Sequence, residues 1–278
     1  MSKNPQTTKQ AADPERATSR PPYRLVDMHC HLDLMANADE VAADAAARGI
    51  ALFDTTVTPT DAKAARKRFA QTPNVRVGVG LHPWYLADGR CSGDDADRAA
   101  LAAAQSHFIG EVGLDFSERY RESFAAQIEA FELIAQACAE RPKPERIISL
   151  HAVRSAGAVL DILERFDLAH SATCIFHWFS GTNDELARAR SMGCRFSISE
   201  RMLASKKGRE YARQIPNDRL LLETDAPPEL GAPYSASAIE TSLSATLDQL
   251  AELRGEGRDE LAARIAEASC RLLDLTSA

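Results

Sequence analysis

Short apolar runs alternate with amphipathic segments along the chain from Leu25 onward. The runs contain Val, Ile, Leu and Phe in the proportion typical of buried strands. Eight strands are predicted: Leu25–Met28, Ile50–Thr55, Val75–Gly80, Phe108–Val112, Ile147–Leu150, Thr173–Phe176, Arg195–Ile198 and Leu220–Leu222. Segments between them carry apolar residues at helical spacing, as at Phe124, Ile128 and Phe131. The predicted helices are Ala38–Arg48, Asp61–Ala70, Asp95–Ser106, Arg119–Glu140, Ala156–Phe166, Asp184–Met192, Ser205–Gln214, Ser235–Arg254 and Asp259–Leu273.

This alternation favours an α/β fold with a parallel sheet, and eight units predict a (β/α)8 TIM barrel over residues 23–278. The competing fold is a doubly wound open sheet. Such a sheet usually has a glycine-rich phosphate loop after its first strand, whereas here Met-His-Cys-His occupies positions 28–31. Residues 1–22 are polar and predict a disordered N-terminal tail.

Composition narrows the class of protein. The chain has 278 residues, of which 45% are hydrophobic, and it contains no apolar stretch long enough to span a membrane. The first residues lack a secretory leader, so we expect a cytoplasmic protein without membrane association. The six cysteines form no C-x-x-C pair and are expected to be reduced and buried. Cys30 is either a soft metal ligand or a packing residue, and strand alternation favours packing.

The net charge of −7 argues against a protein that coats nucleic acid without sequence preference, because such proteins are normally basic. It does not exclude a nuclease, because bound metal ions supply positive charge where a phosphate docks.

Potential metal ligands recur where the predicted strands end. In a TIM barrel the active site lies at the C-terminal ends of the strands. His29 and His31 end the first strand and, being two residues apart, project to the same side. Four further candidates lie at the ends of strands four, five, six and eight: Glu111, His151, His177 and Asp225. A single acid often caps a helix and a single histidine is often structural, but recurrence at five strand ends favours a metal site.

Six ligands exceed the three that a mononuclear catalytic zinc site uses, which predicts two divalent ions. One ion is assigned to His29, His31 and Asp225, the other to His151 and His177, with Glu111 bridging. Imidazole with carboxylate suits Zn, Mn, Co or Fe, and Mg stays open.

Five segments together carry a family resemblance: Asp-Met-His-Cys-His-Leu-Asp (27–33), Gly-Leu-His-Pro (80–83), Gly-Glu-Val-Gly-Leu-Asp (110–115), His-Trp-Phe-Ser-Gly (177–181) and Glu-Thr-Asp-Ala-Pro (223–227). In this order they resemble the TatD family of metal-dependent deoxyribonucleases in the amidohydrolase superfamily. The segment from Cys194 to Arg209 is similar to a QatD-like branch encoded in some bacterial anti-phage loci. That likeness implies a role in antiviral defence, with partner subunits that the sequence does not identify.

The resemblance implies hydrolysis of DNA phosphodiester bonds by a metal-bridged hydroxide, with exonuclease action on single-stranded or frayed ends. Asp225 and Glu111 are the expected catalytic residues, and Asp225 is expected to accept the water proton and return it to the leaving group. Expected substrate contacts are His82, Arg154 and Trp178. His82 either contacts a phosphate or bonds within its loop, and Arg154 lies one residue later than the family's arginine.

Two other classes of function stay open. A related amidohydrolase would use the same metal pair on a small amide, lactone or phosphoester. A structural or binding subunit of a larger assembly would have no need for six converging ligands.

Overall fold

Parallel strands form a closed barrel in the computed structural model, which describes residues 21–275. The strands are β1 (Leu25–Cys30), β2 (Ile50–Asp54), β3 (Val75–Val77), β4 (Val79–Leu81), β5 (Phe108–Asp115), β6 (Ile147–Val153), β7 (Thr173–His177), β8 (Arg195–Ile198) and β9 (Leu220–Leu222). They follow one another around the barrel in chain order. Residues 1–20 of the predicted tail lie outside the described residues.

Hydrogen bonds between the first and last strand positions complete the ring. The amide of Asp225 donates to the carbonyl of His29 at 2.9 Å, and the amide of His31 donates to the carbonyl of Ala226 at 2.7 Å. The buried Asp27 carboxylate accepts from the amide and hydroxyl of Thr224 at 3.0 and 2.5 Å. The segment that carries Asp225 is therefore fixed directly against the segment that carries His29 and His31.

The third predicted strand, Val75–Gly80, is split into β3 and β4 at Gly78. β3 pairs with β2, whereas β4 pairs with β5, so the chain bends between the two neighbours. The backbones are too close there for side chains. A Cβ on Gly80 would lie 1.5 Å from the Thr56 carbonyl oxygen, which in turn accepts from the amide of Glu111 at 2.8 Å.

Helices connect successive strands. They are α1 (Ala38–Ala47), α2 (Pro59–Arg68), α3 (Pro83–Ala87), α4 (Gly93–Gln105), α5 (Phe124–Glu140), α6 (Ala156–Arg165), α7 (Leu168–Ser171), α8 (Asn183–Ser191), α9 (Glu200–Leu203), α10 (Lys206–Gln214), α11 (Ala236–Arg254) and α12 (Arg258–Leu272). Short 3-10 turns occur at Leu32–Leu34, Glu118–Ser123 and Asn217–Arg219. The sequence did not predict α3, α7 or α9, because four or five residues are too few to show a helical period.

The core has two parts. The larger part contains most of the buried residues that join the helices to the strands. The smaller part is a separate apolar cluster contributed by five strands, the C-terminal helix and the residues that follow it: Val26, Met28, Ala51, Phe53, Ile147, Ile175, Leu221, Cys270, Leu273 and Leu275. The six cysteines are buried free thiols, and the Cys30 thiol points to the Phe53 carbonyl at 3.6 Å. No helix within residues 21–275 is long and apolar enough to cross a membrane.

Arg146 is a buried arginine that caps two helices and provides a stability test. Its side chain is 1% exposed, and its guanidinium donates to the carbonyls of Ser106 at 3.1 Å and Cys138 at 2.6 Å. Arg146→Met is expected to leave these carbonyls unsatisfied and to lower the free energy of unfolding by about 2–4 kcal/mol in urea titrations. Arg165→Met, which breaks a surface ion pair with Glu132, is the control and should cost less than about 1 kcal/mol. Equal losses would contradict the capping role.

Candidate metal centre

The structure brings the six candidate ligands together at the C-terminal end of the barrel. His29 lies in β1, His31 directly follows it, and Asp225 follows β9. Glu111, His151 and His177 lie in β5, β6 and β7. The predictions that Glu111 and His151 lie at the ends of their strands are wrong, because β5 continues to Asp115 and β6 continues to Val153. The pairing of β5 with β6 is irregular between Ile109 and Val112.

The carboxylate of Glu111 lies between two pairs of imidazoles. Its Oε2 is 3.3 Å from Nε2 of His29 and 3.4 Å from Nε2 of His31. Its Oε1 is 2.6 Å from Nδ1 of His151 and 3.0 Å from Nε2 of His177. One carboxylate thus faces two separate groups of nitrogen donors.

Asp225 lies on the side of the first pair. Its Oδ1 is 3.5 Å from Nε2 of His31 and 3.9 Å from Nε2 of His29. Its backbone has a φ of 57°, in the left-handed region that few non-glycine residues adopt. Such backbone strain is concentrated at functional sites.

The free nitrogen atoms suit metal binding. Nε2 of His29 is buried without a hydrogen-bond partner in the described residues, while its Nδ1 contacts the Ser149 hydroxyl at 2.8 Å. Nδ1 of His31 lies 2.6 Å from the carbonyl of Thr55. Because a carbonyl only accepts, this contact places the proton of a neutral ring on Nδ1 and leaves Nε2 free as a ligand. The residues therefore fit divalent cations, and three overlapping groups can each hold one: His29, His177 and Asp225; His29, His31 and Glu111; and His82, Glu111 and His151.

Two further carboxylates lie behind the second pair of imidazoles. Asp115 Oδ2 accepts from the indole of Trp84 at 2.6 Å and lies 3.5 Å from Nε2 of His151. Glu223 Oε1 accepts from the amide of Trp178 at 3.0 Å and lies 3.8 Å from Nδ1 of His177. Carboxylates behind histidine ligands fix ring orientation in metal sites.

A cavity of about 540 Å³ opens above the cluster. His82, Trp178 and Arg201 line it together with His31, Glu111, His151, His177 and Asp225. Arg154 is exposed and is not among the lining residues, because β6 continues to Val153 and places it in the following turn. The structure therefore does not bring Arg154 to the site.

The position of His82 is compatible with both roles considered from the sequence, a bond within its loop and a contact with a phosphate. Its Nδ1 accepts from the amide of Trp84 at 3.1 Å, and its Nε2 lies 3.2 Å from Oε1 of Glu111. In the neutral ring the proton is then on Nε2, which makes His82 a hydrogen-bond donor toward the centre.

Comparison with known proteins identifies the family of the chain. The family described as TatD related DNase matches residues 26–274. The chain belongs to this family. The 3'-5' ssDNA/RNA exonuclease TatD of Pantoea vagans is 31% identical over 232 residues, which cover 81% of this chain and 87% of the relative. The uncharacterized metal-dependent hydrolase YcfH of Escherichia coli K12 is 28% identical over 262 residues, which cover 90% and 96%.

Among solved structures, YjjV, a TatD homologue from Escherichia coli K12, aligns with a TM-score of 0.75 at 22% identity and covers 91% of this chain and 99% of YjjV. The (β/α)8 barrel predicted from the sequence is confirmed. The chain is a TatD-type metal-dependent hydrolase. Its placement in the QatD-like branch stays a prediction.

The electrostatics of this TatD-type centre favour ionised carboxylates. Burial raises the pKa of Glu111, but the surrounding imidazoles of His82, His177 and His29 hold it well below its usual range. Burial likewise opposes ionisation of Asp225, yet its contacts with the histidines lower its pKa to about 2. Burial also opposes protonation of His31, but Asp225 and Glu111 raise its pKa to about 9. The ion-free cluster therefore holds protons that a cation must displace.

Proton release on metal binding is the corresponding prediction. Since the raised pKa of His31 keeps it protonated below about 9, Mn²⁺ binding near pH 7 is expected to release protons, and the contribution of His31 should vanish as the pH rises through 9. Calorimetric titration of metal-stripped protein in buffers of different ionisation enthalpy measures this release. His31→Gln should release fewer protons per ion bound, whereas His170→Gln, at an exposed histidine outside the cluster, should not differ from wild type. A binding enthalpy independent of the buffer would contradict the prediction.

Proposed function

We propose that the barrel predicted over residues 23–278 is a two-metal nuclease that removes nucleotides from the ends of single-stranded or frayed DNA. One observation carries the proposal: the two oxygens of Glu111 each face a separate pair of imidazoles. A carboxylate that bridges two cations needs this arrangement. The curated relative from Pantoea vagans, whose name gives it 3'-5' exonuclease activity on ssDNA and RNA, supports the substrate class.

Each proposed ion has its own ligands. The first is assigned to His29, His31 and Asp225, the second to His151 and His177, and Glu111 joins the two. Four imidazoles and two carboxylates suit Zn²⁺ or Mn²⁺ better than Mg²⁺, which prefers oxygen ligands.

When bound, such ions act as Lewis acids and lower the pKa of water to near neutrality. Side chains of the protein then accept and donate the protons of the reaction. Asp225 accepts the proton of the attacking water and gives it to the leaving oxygen as the phosphorus–oxygen bond breaks. Its position allows this, because Oδ1 faces the histidines while the residue also borders the open cavity. His82 donates from Nε2 to a phosphate oxygen and stabilises the charge that develops there.

The cavity wall suits an unpaired nucleotide. Several apolar side chains surround the acidic floor: Leu34, Val57, Val153, Pro227, Pro228 and Leu230. Trp178 is 37% exposed and also borders the cavity, where its ring can stack on a base. A paired base has both faces covered by its neighbours in the duplex, so this wall favours single-stranded or frayed ends. A cytoplasmic location, a role in antiviral defence and partner subunits stay predictions.

Metal-dependent cleavage of labelled oligonucleotides tests the proposed function. Purified protein with Mn²⁺ should release nucleotides from single strands carrying a 5' or 3' label, and the release should stop with EDTA. His151→Ala removes a ligand of the second ion and should reduce the rate by at least about 100-fold, while His170→Ala should keep the wild-type rate. Turnover of small esters or lactams without any cleavage of DNA would instead indicate the amidohydrolase alternative.

Replacement of His82 tests its role as a donor. His82→Phe removes the Nε2–H and is expected to lower kcat by about 100-fold, in the range found when one transition-state donor is lost. The metal content, measured by elemental analysis, should stay at the wild-type value because the six proposed ligands are all retained in this variant. Loss of metal together with activity would show that His82 is a ligand.

A further inference from the structure

Arg201 stands at the edge of the cavity on a well-anchored turn. It belongs to α9, whose next two residues, Met202 and Leu203, are buried in the core. On its other side, Glu200 accepts a hydrogen bond from the Ser242 hydroxyl of α11 at 2.7 Å. The backbone that carries Arg201 is thus held at both sides, although the side chain itself is 45% exposed.

The guanidinium faces the catalytic carboxylate from outside. Nη1 of Arg201 donates to Oδ2 of Asp225 at 3.1 Å, whereas the opposite oxygen, Oδ1, faces His31. The guanidinium carbon is 5.8 Å from the centre of the Trp178 ring. Arg201 therefore lies behind the Asp225 carboxylate as seen from the proposed metal centre. It also lies beside the ring of Trp178, the proposed stacking surface.

Charge makes this position distinctive. Of the residues in 21–275 that line the cavity above the cluster, Arg201 alone has a permanently cationic side chain. A guanidinium has five N–H donors, and the bond to Asp225 is the one hydrogen bond to protein that this group makes within the described residues. The remaining donors are available for a ligand, and a guanidinium fork matches the geometry of two phosphate oxygens.

We propose that Arg201 binds the phosphate next to the scissile phosphodiester and thereby selects oligonucleotides over small phosphodiesters. This inference rests on the proposed nuclease function. The outward position of Arg201 places its free donors away from the reacting phosphate. The neighbouring Trp178 ring then receives a base of the same bound strand. Arg201 is a specificity-determining residue in this arrangement, and its bond to Asp225 holds the fork in place before the substrate arrives.

A neutral linkage in the substrate tests the contact directly. Two single-stranded oligonucleotides are compared: one all-phosphodiester, the other with a methylphosphonate at the linkage adjacent to the cleaved bond, made in separate versions for either side of that bond. Wild-type protein should lose about 10- to 100-fold in kcat/KM on one methylphosphonate version, the value of a charged hydrogen bond. Arg201→Gln should have the same lowered kcat/KM on both substrates, mostly through a higher KM. The variant has no guanidinium to bind that phosphate, so removing the charge of the phosphate has no further effect.

Matched variants separate this role from the alternatives. Arg213→Gln makes the same change at an exposed arginine paired with Glu210 outside the cavity, and should behave as wild type on both substrates. Arg201→Lys should recover part of the lost kcat/KM on the all-phosphodiester strand, since it keeps the charge without the fork.

Two results would overturn the inference. If the losses from Arg201→Gln and from the methylphosphonate multiply, the two do not contact each other. If Arg201→Gln lowers kcat equally on oligonucleotides and on bis(p-nitrophenyl) phosphate, which has no neighbouring phosphate, the residue only positions Asp225. Both results require wild-type protein that cleaves DNA, so they are distinct from failure of the proposed function, in which wild type cleaves neither oligonucleotide.

Discussion

The structure depends on one buried anion. Glu111 is 1% exposed, and a carboxylate in such surroundings is stable only where positive charge or hydrogen-bond donors compensate for the lost water. The imidazoles around it provide this compensation when protonated, and cations provide it when the imidazoles are neutral ligands. Binding of cations therefore replaces the positive charge of the protonated imidazoles. An apolar barrel interior alone would not hold Glu111 in its ionised form.

Backbone contacts give this exchange a fixed geometry. The amide of Glu111 donates to the carbonyl of Thr56. The segment after β9 is bonded to the segment of β1 and His31, because the amide of Asp225 donates to His29 and the amide of His31 donates to Ala226. Because the segments that carry His29, His31 and Asp225 also close the ring, opening of the barrel there would separate these residues. The carboxylates of Asp115 and Glu223 lie behind the imidazoles of His151 and His177, on the side away from Glu111.

Much of the fold and of the metal cluster was accessible from the sequence, since strand periodicity locates strand ends and parallel strands bring their ends together. The bend at Gly78 was not accessible, because it depends on a carbonyl from a strand distant in sequence. Nor did periodicity place Arg154 correctly, because the strand before it is longer than its apolar run indicates. Side-chain direction in turns depends on tertiary contacts.

The apolar cluster inside the barrel has a consequence for how substrate enters the site and how product leaves it. Met28, Phe53 and Leu221 are buried in the barrel interior below the candidate ligands, so the cavity is closed at its inner end. In the proposed nuclease, a strand end would advance only as far as this floor, and the released nucleotide would leave through the same opening. Product release and advance of the remaining strand would then compete for one opening, which favours dissociation of the polymer between successive cuts.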